Sequence, residues 1–276
     1  MSISEKYIAE LYNKIQEERP IIHCITNAVT VNDCANILLA CGASPIMADD
    51  GREVEDITSI CNGLVINIGT LNERTIAAMI KAGKKANALG HPVILDPVGA
   101  GASALRTDTV FQLLKEVKFT AIRGNISEIK TVALGTGTTK GVDADVADEV
   151  NAQTLPDVLQ FARTLAKETG AVIIITGKQD LLTDGEESCL ISNGHAMMSR
   201  ITGSGCMLTC LLGAYLAANP EHAFDVCVAA VAEMGLAGEL AYQPGCGTLT
   251  FRTGLLDAIS TMTAEQLDGG ARVEYL

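Results

Sequence analysis

Apolar residues along the chain alternate between two spacings. Near the N-terminus they recur every three or four positions up to Ile15, which predicts an amphipathic helix that ends at Pro20. A continuous apolar run from Ile21 to Ile25 follows, and such a run predicts a short buried strand. The same change of spacing is repeated several times further along the chain.

The repeated change of spacing predicts a parallel sheet. Strands that are apolar on both faces, with helices between them, are typical of parallel sheets that helices cover on both sides. Turn residues within 180–198 predict an antiparallel hairpin added to the sheet edge, and the chain from Gly205 to about Met262 predicts helices. The further predicted strands are 45–47, 64–68, 93–95, 119–122 and 172–175; the predicted helices are 31–41, 54–61, 73–89 capped by Asn72, 109–117, one that opens near 125, and 156–168.

The predicted fold is therefore α/β: a three-layer αβα sandwich with a central, mostly parallel sheet and a small antiparallel edge hairpin. No low-complexity linker divides the chain, so we expect a single domain over residues 1–276.

Composition excludes several classes of protein. Hydrophobic residues make up 48% of the chain and charged residues 19%, which excludes a disordered protein. The apolar runs are shorter than the roughly 20 residues that span a bilayer, and the N-terminus lacks the apolar stretch of a secretory signal. The nine cysteines are scattered and form no C-x-x-C pair, which favours free thiols over disulfides or zinc. We expect a cytoplasmic protein.

Net charge limits the partners. The chain carries 20 basic and 33 acidic residues, a net charge of −13, so duplex nucleic acid and anionic membranes are unfavourable partners. Stacking platforms for single-stranded nucleic acid are also not expected, since the chain has no Trp and five each of Phe and Tyr. An anionic substrate would need a local binding site.

The segment ITGSGC (201–206) is a candidate for that local site. Gly203 and Gly205 allow a tight turn, and the N–H groups of residues 203–206 lie where a helix begins, so they are suited to an anion. Cys206 lies in the first helical turn, where thiol pKa values are commonly lowered. An ordinary glycine turn and a buried structural cysteine are the alternative interpretations.

Two other loops carry charged residues at predicted strand ends. Asp96 follows one strand and is a candidate Mg²⁺ ligand, while Arg123 ends another and is a candidate phosphate clamp. Glu128 is a second candidate metal ligand, although its spacing also makes it the capping-box partner of Asn125. Together with the 201–206 segment these residues favour phosphoryl transfer. The Walker motif of P-loop enzymes and a correctly placed dinucleotide fingerprint are both absent.

Amide and hydroxyl side chains cluster in a further segment. Asn27 ends the segment HCITN (23–27), which leads into a predicted helix. Such side chains at a strand end are suited to a small neutral ring that carries a hydroxyl, although they also serve as turn and cap residues.

These segments resemble those of the hydroxyethylthiazole kinase family within the ribokinase-like superfamily. The matching stretches run in family order and span most of the chain: CITNAVTVNDCAN (24–36), SPIMAD (44–49), NIGT (67–70), LDPVGAGAS (95–103), IRGNISEI (122–129), GVDA (141–144), ITG (175–177) and ITGSGC (201–206).

The resemblance implies a ribokinase-like fold and Mg²⁺-assisted transfer of a phosphoryl group from ATP to a thiazole alcohol in thiamine salvage. It implies these roles by position: Met47, Gly203 and Asn27 for the substrate; Arg123 and Thr176 for ATP; Asp96 and Glu128 for the metal; Gly203, Ser204, Gly205 and Cys206 for an anion hole. It also implies a homotrimer with active sites between subunits, in which Asn27 and Met47 of one subunit would meet Gly203 of another.

Cys206 departs from the wider superfamily, whose sugar kinases usually have Asp at this position. A thiol, with its unperturbed pKa of about 8.5, is a weak base at neutral pH, so we expect Cys206 to be catalytic but to contribute modestly. Three alternatives remain open at this point: a pyrimidine, pyridoxal or sugar kinase of the same fold, a non-catalytic nucleotide-binding protein, and a Cys206-dependent hydrolase or transferase.

Overall fold

The structure is a computed structural model that describes residues 5–136, 150–151 and 153–276. The GVDA segment (141–144) lies outside the described residues.

The described strands form one nine-stranded sheet in the order β2-β1-β3-β4-β5-β6-β7-β8-β9. The first six strands are parallel, while β7, β8 and β9 each run antiparallel to the strand before them in the sheet. The strands are β1 (Ile21–Ile25), β2 (Ser44–Ile46), β3 (Gly63–Asn67), β4 (Val93–Asp96), β5 (Ala121–Gly124), β6 (Val172–Ile175), β7 (Asp180–Thr183), β8 (Ser188–Ile191) and β9 (Val273–Tyr275).

Helices cover both faces of the sheet and produce two apolar layers. Helices α1, α2 and α8 to α11 contribute to one layer, and α3 to α7 to the other. The helices are α1 (Glu5–Glu18), α2 (Val31–Ala40), α3 (Val54–Ile60), α4 (Glu73–Leu89), α5 (Ala104–Glu116), α6 (Ile126–Gly135), α7 (Leu155–Thr169), α8 (Ser204–Ala218), α9 (Ala223–Ala241), α10 (Thr248–Thr261) and α11 (Ala264–Gly270), with a short 3₁₀ segment at Ala196–Arg200.

The central helix α8 packs directly on the sheet. Gly213 permits this close approach, because a Cβ atom there would lie 2.9 Å from Cγ2 of Val65. Val65 belongs to the layer that contains α8, whereas its neighbours Leu64 and Ile66 belong to the opposite layer. This alternation is what a strand buried on both faces requires. The packing of α8 on the sheet places the first turn of the helix near the strand ends.

The main predictions of the fold are confirmed. The sheet is mostly parallel and β7 and β8 form the expected hairpin. Helix α4 begins at an Asn72 capping box and ends at Gly90 in the left-handed conformation, as its sequence indicated. The expectation of one domain over residues 1–276 stays a prediction, although the described strands belong to one sheet.

Two features differ from the sequence-based expectation. The C-terminal strand β9 was not predicted; it pairs with β8 and extends the antiparallel part of the sheet. Helix α5 begins at Ala104 rather than Thr109, because the Ser103 hydroxyl accepts a hydrogen bond from the Arg106 N–H and caps the helix.

Two further observations concern the cysteines and the length of the apolar helices. All nine cysteines are free thiols, and Cys246 alone among them is only partly buried. Across the part of the chain that the structure describes, no helix is both long and apolar enough to cross a membrane.

Glu233 of α9 is an ionisable group inside one apolar layer. Its side chain is fully buried, and neither carboxyl oxygen has a hydrogen-bond partner among the described residues. Burial raises the pKa of Glu233 from 4.5 to about 7, and the nearby Tyr215 hydroxyl offsets only part of that rise. The native state therefore favours the protonated carboxyl.

We expect Glu233→Gln to remove one pH dependence of stability. In the wild type the unfolded chain loses this proton near pH 4.5 and the native protein near pH 7, so native stability falls by about 3 kcal/mol across that window and is independent of this group above it. Urea unfolding at pH 5 and pH 8 measures the difference. The exposed Glu10→Gln on α1 is the control, and an unchanged pH dependence in Glu233→Gln would contradict the assignment.

Candidate active site

Polar side chains gather where the parallel strands end. The strands run in the same direction, so their carboxyl ends share one edge of the sheet, which is the usual ligand-binding edge of α/β folds. β3 and β4 are in register so that Asn67 lies beside Asp96. The side chains at this edge are Asn27 after β1, Asn67 at the end of β3, Asp96 at the end of β4, Arg123 in β5 and Thr176 after β6.

Asp96 is a fully buried carboxylate. Its Oδ2 accepts hydrogen bonds from Nδ2 of Asn67 at 2.8 Å and from the Thr209 hydroxyl of α8 at 2.9 Å. Its Oδ1 has no hydrogen-bond partner among the described residues, and Nη1 of Arg123 lies 3.6 Å away. Burial raises the pKa of Asp96 to about 6, while Arg123, Thr209 and Asn67 act in the opposite direction. At neutral pH Asp96 is therefore mostly ionised.

The Cys206 thiol lies beside Asp96 and receives two amide donors. Nδ2 of Asn27 and Nδ2 of Asn67 each lie 3.3 Å from the Cys206 sulfur. The orientation of the Asn67 amide is set by its Oδ1, which accepts hydrogen bonds from the Gly69 N–H and from Asn27. The sulfur therefore acts as an acceptor, and Asn67 joins it to the carboxylate.

The pKa of Cys206 is determined by its surroundings in the fold. A position at the start of a helix commonly lowers a thiol pKa, but burial and the negative charge of Asp96 raise the pKa of Cys206. Hydrogen bonds from Thr30 and Asn27 offset part of that rise. The protonated thiol thus predominates at neutral pH, which argues against a thiolate nucleophile of the hydrolase type.

The glycine turn before α8 has the predicted form. Gly203 has a φ of +84° and precedes the first turn of α8, and among the described side chains none caps this helix. Its N–H groups therefore remain available to an anion. A Cβ at Gly203 would also lie 2.7 Å from Cγ2 of Thr30, so the turn is closely packed against the loop after β1.

Arg123 and Gly205 are in close contact. Nη2 of Arg123 donates to the Thr176 hydroxyl at 2.7 Å, which joins the two residues predicted to contact ATP. The guanidinium lies against the α8 turn so closely that a Cβ at Gly205 would be within 2.3 Å of Nη1, so a residue with a side chain would displace it. The positive charge therefore lies beside the candidate anion hole.

Glu128 has the capping geometry that its spacing indicated. Its Oε2 accepts from the Asn125 N–H and its Oε1 from the Gly99 N–H, both at 2.8 Å. These bonds connect α6 to the loop that follows Asp96. The charge of Glu128 also contributes to the raised pKa of Asp96, so the two carboxylates are near each other.

Asp96 and Glu128 are suited to a Mg²⁺ ion that takes its other ligands from a nucleotide and from water. Mg²⁺ in phosphoryl-transfer sites commonly has one or two carboxylates, with waters and substrate phosphates as its other ligands. The unpartnered Oδ1 of Asp96 is a suitable oxygen ligand. Within the described residues no group of three or more His, Cys, Asp or Glu could hold a metal ion by itself.

A cavity of about 720 Å³ extends from Arg123 and Thr176 along α8. Its polar part also includes Lys178, Asp180 and Ser204, while Leu208, Val231 and Met234 contribute an apolar part. Asn193 lines the same cavity and is held by the C-terminal segment, since its Nδ2 donates to the Gly270 carbonyl and its Oδ1 accepts from the Arg272 N–H.

Met47 is not part of the hydrogen-bonded set around Cys206 among the described residues. It is half-buried and packs against the apolar layer that contains α8. The next residue is held by a buried histidine, because Nε2 of His23 donates to the Ala48 carbonyl at 2.9 Å. A substrate role for Met47 stays a prediction.

The loop after β1 lies close to the start of α8 within one chain. Asn27 contacts Cys206 there, and Gly203 packs against Thr30. β1 pairs with β3 in the sheet, which brings this loop to the start of α8. The expectation that Asn27 and Met47 of one subunit meet Gly203 of another stays a prediction.

Three contributors to the site were not singled out from the sequence: Asn67, Thr209 and Asp180. Asn67 had a usable signal, because it ends a strand that neighbours the strand of Asp96. Thr209 could be found only through the packing of α8 on β4, and Asp180 only through its place in the cavity.

Comparison with known proteins finds a family whose model matches most of this chain. Residues 12–265 match the model of the hydroxyethylthiazole kinase family. Hydroxyethylthiazole kinases from Clostridium acetobutylicum and Ruminiclostridium cellulolyticum are 55% and 48% identical to this chain. The aligned parts cover 97% of this chain and 99% of the first relative, and the whole of both chains for the second.

Solved structures agree with these relatives. The hydroxyethylthiazole kinase of Pyrococcus horikoshii has a TM-score of 0.88 and 32% identity, over 98% of this chain and 99% of its own. The pyridoxal kinase of Staphylococcus aureus in complex with ADP has a TM-score of 0.64 over 93% of this chain and 97% of its own; at 14% identity it shows the shared ribokinase-like fold alone.

The family match, the curated relatives and the structure from Pyrococcus horikoshii all indicate the same family. This chain belongs to the hydroxyethylthiazole kinase family.

Proposed function

We propose that this protein transfers the γ-phosphoryl group of ATP to the primary hydroxyl of 4-methyl-5-(2-hydroxyethyl)thiazole, a step of thiamine salvage. The observation that carries the proposal is the proximity of Asp96, Arg123 and Cys206 to the uncapped first turn of α8. Phosphoryl transfer depends mainly on positioning and on charge neutralisation, and these groups provide both.

The cavity beside Arg123 is the proposed ATP site. Arg123 and Thr176 form its polar end and would contact the phosphates, while the apolar wall of Leu208, Val231 and Met234 is suited to a purine base. A chain with a net charge of −13 can bind ATP here because the Arg123 guanidinium and the N–H groups of α8 provide local positive potential.

Asp96 is the proposed principal protein ligand of Mg²⁺, with Glu128 as a nearby second carboxylate. Bound Mg²⁺ would neutralise charge on the ATP phosphates. Thr209 and Asn67 hold Oδ2 of Asp96, which leaves Oδ1 directed toward the site.

The thiazole alcohol is proposed to lie between Asn27, Met47 and Gly203, with its hydroxyl near Cys206. The N–H groups of Gly203, Ser204, Gly205 and Cys206 would form the anion hole for the transferred phosphoryl group. Cys206 would accept the hydroxyl proton in its thiolate form. Because its raised pKa leaves little thiolate at neutral pH, positioning supplies most of the rate.

We also propose a cytoplasmic location, because free thiols in this number are typical of reducing compartments.

Protein, MgATP and the thiazole alcohol should yield thiazole phosphate and ADP, measured by chromatography beside pyrimidine, pyridoxal and sugar alcohols. We expect Cys206→Ser to lower kcat by about 10- to 100-fold, and Asp96→Asn by more than about 1000-fold because it removes the charge that faces the metal. Cys246→Ser, away from these contacts, is the matched thiol control.

Two results would contradict these assignments. Turnover only with another alcohol would overturn the thiazole assignment, and ATP binding without turnover on any alcohol would favour a non-catalytic protein. A Cys206→Ser variant as inactive as Asp96→Asn would show that the thiol is more than a modest base.

Gly205→Ala should displace the Arg123 guanidinium, since the added Cβ would fall within 2.6 Å of both Nη atoms. We expect kcat/KM for ATP to fall by about 10- to 100-fold, the range for a lost charge-assisted hydrogen bond. Alanine favours helix over glycine, so thermal stability should not fall through helix propensity. Gly51→Ala, where no atom lies within 4 Å of the new Cβ, is the control. An unchanged kcat/KM would exclude Arg123 as an ATP contact.

A homotrimer is the proposed assembly, with α2 and α10 in the interface. These helices pack on each other, and large apolar side chains at and beside them are exposed: 66% for Val29, 60% for Leu39 and 70% for Leu249. Exposed apolar side chains close to the proposed active site indicate a contact surface between subunits. A closed ring of three subunits would cover them.

Light scattering should therefore give a mass of three times 28.9 kDa. Leu249→Asp should shift the mass toward the monomer, whereas Leu105→Asp, a similarly exposed leucine on α5, should not. A monomeric wild type, or a trimer that Leu249→Asp leaves intact, would exclude this arrangement.

A further inference from the structure

Asp180 is a carboxylate in the wall of the cavity that we assign to ATP. It is the first residue of β7 and follows the turn that begins after Thr176. Most of a nucleotide's polar surface in such a cavity is phosphate, which repels a carboxylate. An acidic side chain there is therefore unfavourable unless it has a specific hydrogen-bond donor to bind.

The orientation of the Asp180 carboxylate is set by the turn. Its Oδ1 accepts a hydrogen bond from the Gly177 N–H at 2.9 Å, and its Oδ2 has no hydrogen-bond partner among the described residues. Among the described residues Asp180 forms no ion pair with a Lys or Arg side chain. One oxygen is thus held by the backbone, while the other remains an acceptor.

The environment supports a role as an ionised acceptor. Burial raises the pKa of Asp180 to about 6, and the Gly177 N–H and the charge of Arg123 offset part of the rise. The group is still mostly ionised at neutral pH. A partly buried, ionised acceptor without a partner gains from a neutral O–H or N–H donor more than an exposed carboxylate does.

ATP offers only a few neutral donors. They are the 2′ and 3′ hydroxyls of the ribose and the 6-amino group of adenine. The ribose is attached directly to the phosphates, and Asp180 follows closely after Thr176, the proposed phosphate contact. The apolar wall of Leu208, Val231 and Met234, suited to the base, is contributed by α8 and α9 rather than by this turn.

We propose that Asp180 is a specificity-determining residue whose free carboxylate oxygen accepts a hydrogen bond from a ribose hydroxyl of ATP. The assignment rests on the proposed function, because it requires this cavity to be the ATP site. Asp180 selects ribonucleotides over deoxynucleotides, since an analogue that lacks the hydroxyl leaves the carboxylate without its partner.

The test compares kcat/KM for ATP, 2′-deoxyATP, 3′-deoxyATP and inosine triphosphate, which lacks the 6-amino group. In the wild type we expect ATP to be preferred over at least one deoxy analogue by about 10- to 100-fold, the range for a hydrogen bond to a charged group. In Asp180→Ala this preference should fall to within about 2-fold, because ATP loses the bond and the analogue loses nothing.

Two further variants separate the hydroxyl contact from the turn. Asp180→Asn keeps an oxygen that accepts from the Gly177 N–H, so it preserves the turn. Because it removes the carboxylate charge, it should weaken the preference for ATP over the deoxy analogues. Asp184→Asn is the matched control: Asp184 lies in the neighbouring β7–β8 turn, where its Oδ1 accepts from the N–H groups of Glu186 and Glu187. The control should retain the full wild-type preference.

Several outcomes would overturn the proposal. These are a wild type that uses both deoxy analogues as well as ATP, an Asp180→Ala variant with an unchanged preference, and a preference that the variant loses only against inosine triphosphate. Calorimetric binding of the same nucleotides keeps the test independent of turnover. ATP binding with the expected preference but no phosphorylated alcohol would contradict the proposed function and support the Asp180 assignment.

Discussion

Burial of the Asp96 carboxylate is the constraint on which the arrangement of the site depends. A charge removed from water is unfavourable unless nearby groups donate hydrogen bonds or oppose it in sign. Asn67, Thr209 and Arg123 do so from three elements: β3, α8 and β5. Each of these donors also has a second partner at the edge of the sheet, so the position of one is coupled to the positions of the others.

This coupling explains how an acidic chain can hold further negative charge. Arg123 is placed between a buried carboxylate and the start of α8, and Gly205 provides the space for its guanidinium. Surface charge contributes little here, because the relevant groups are those within a few ångströms in a region with little water. A net charge of −13 is therefore compatible with the proposed binding of a small anion at this site.

How much the sequence could predict depended on whether a feature is local. The strands β1, β3, β4, β5 and β6 were recognisable because they are mostly buried and apolar on both faces, and the caps of α4 because Asn72 and Gly90 act within their own helix. The strand β9 was missed because it has only three residues, mixes polar and apolar side chains and depends on pairing with β8.

Within the candidate site, the positions of Asp96, Arg123 and Gly203 could be predicted, because each lies at the end of a strand or the start of a helix. The raised pKa of Cys206 could not be predicted from the sequence, because it depends on burial and on Asp96, which is 110 positions away in the chain.

The bonds between Asn193 and the C-terminal segment have a consequence for the order of folding. The wall of the cavity at Asn193 is held by Gly270 and Arg272, and β9 pairs with β8 just before Asn193. These residues are made after all the parallel strands, so a nascent chain that has already formed those strands still lacks this wall. The cavity proposed for the nucleotide is thus completed only after β9 has been made.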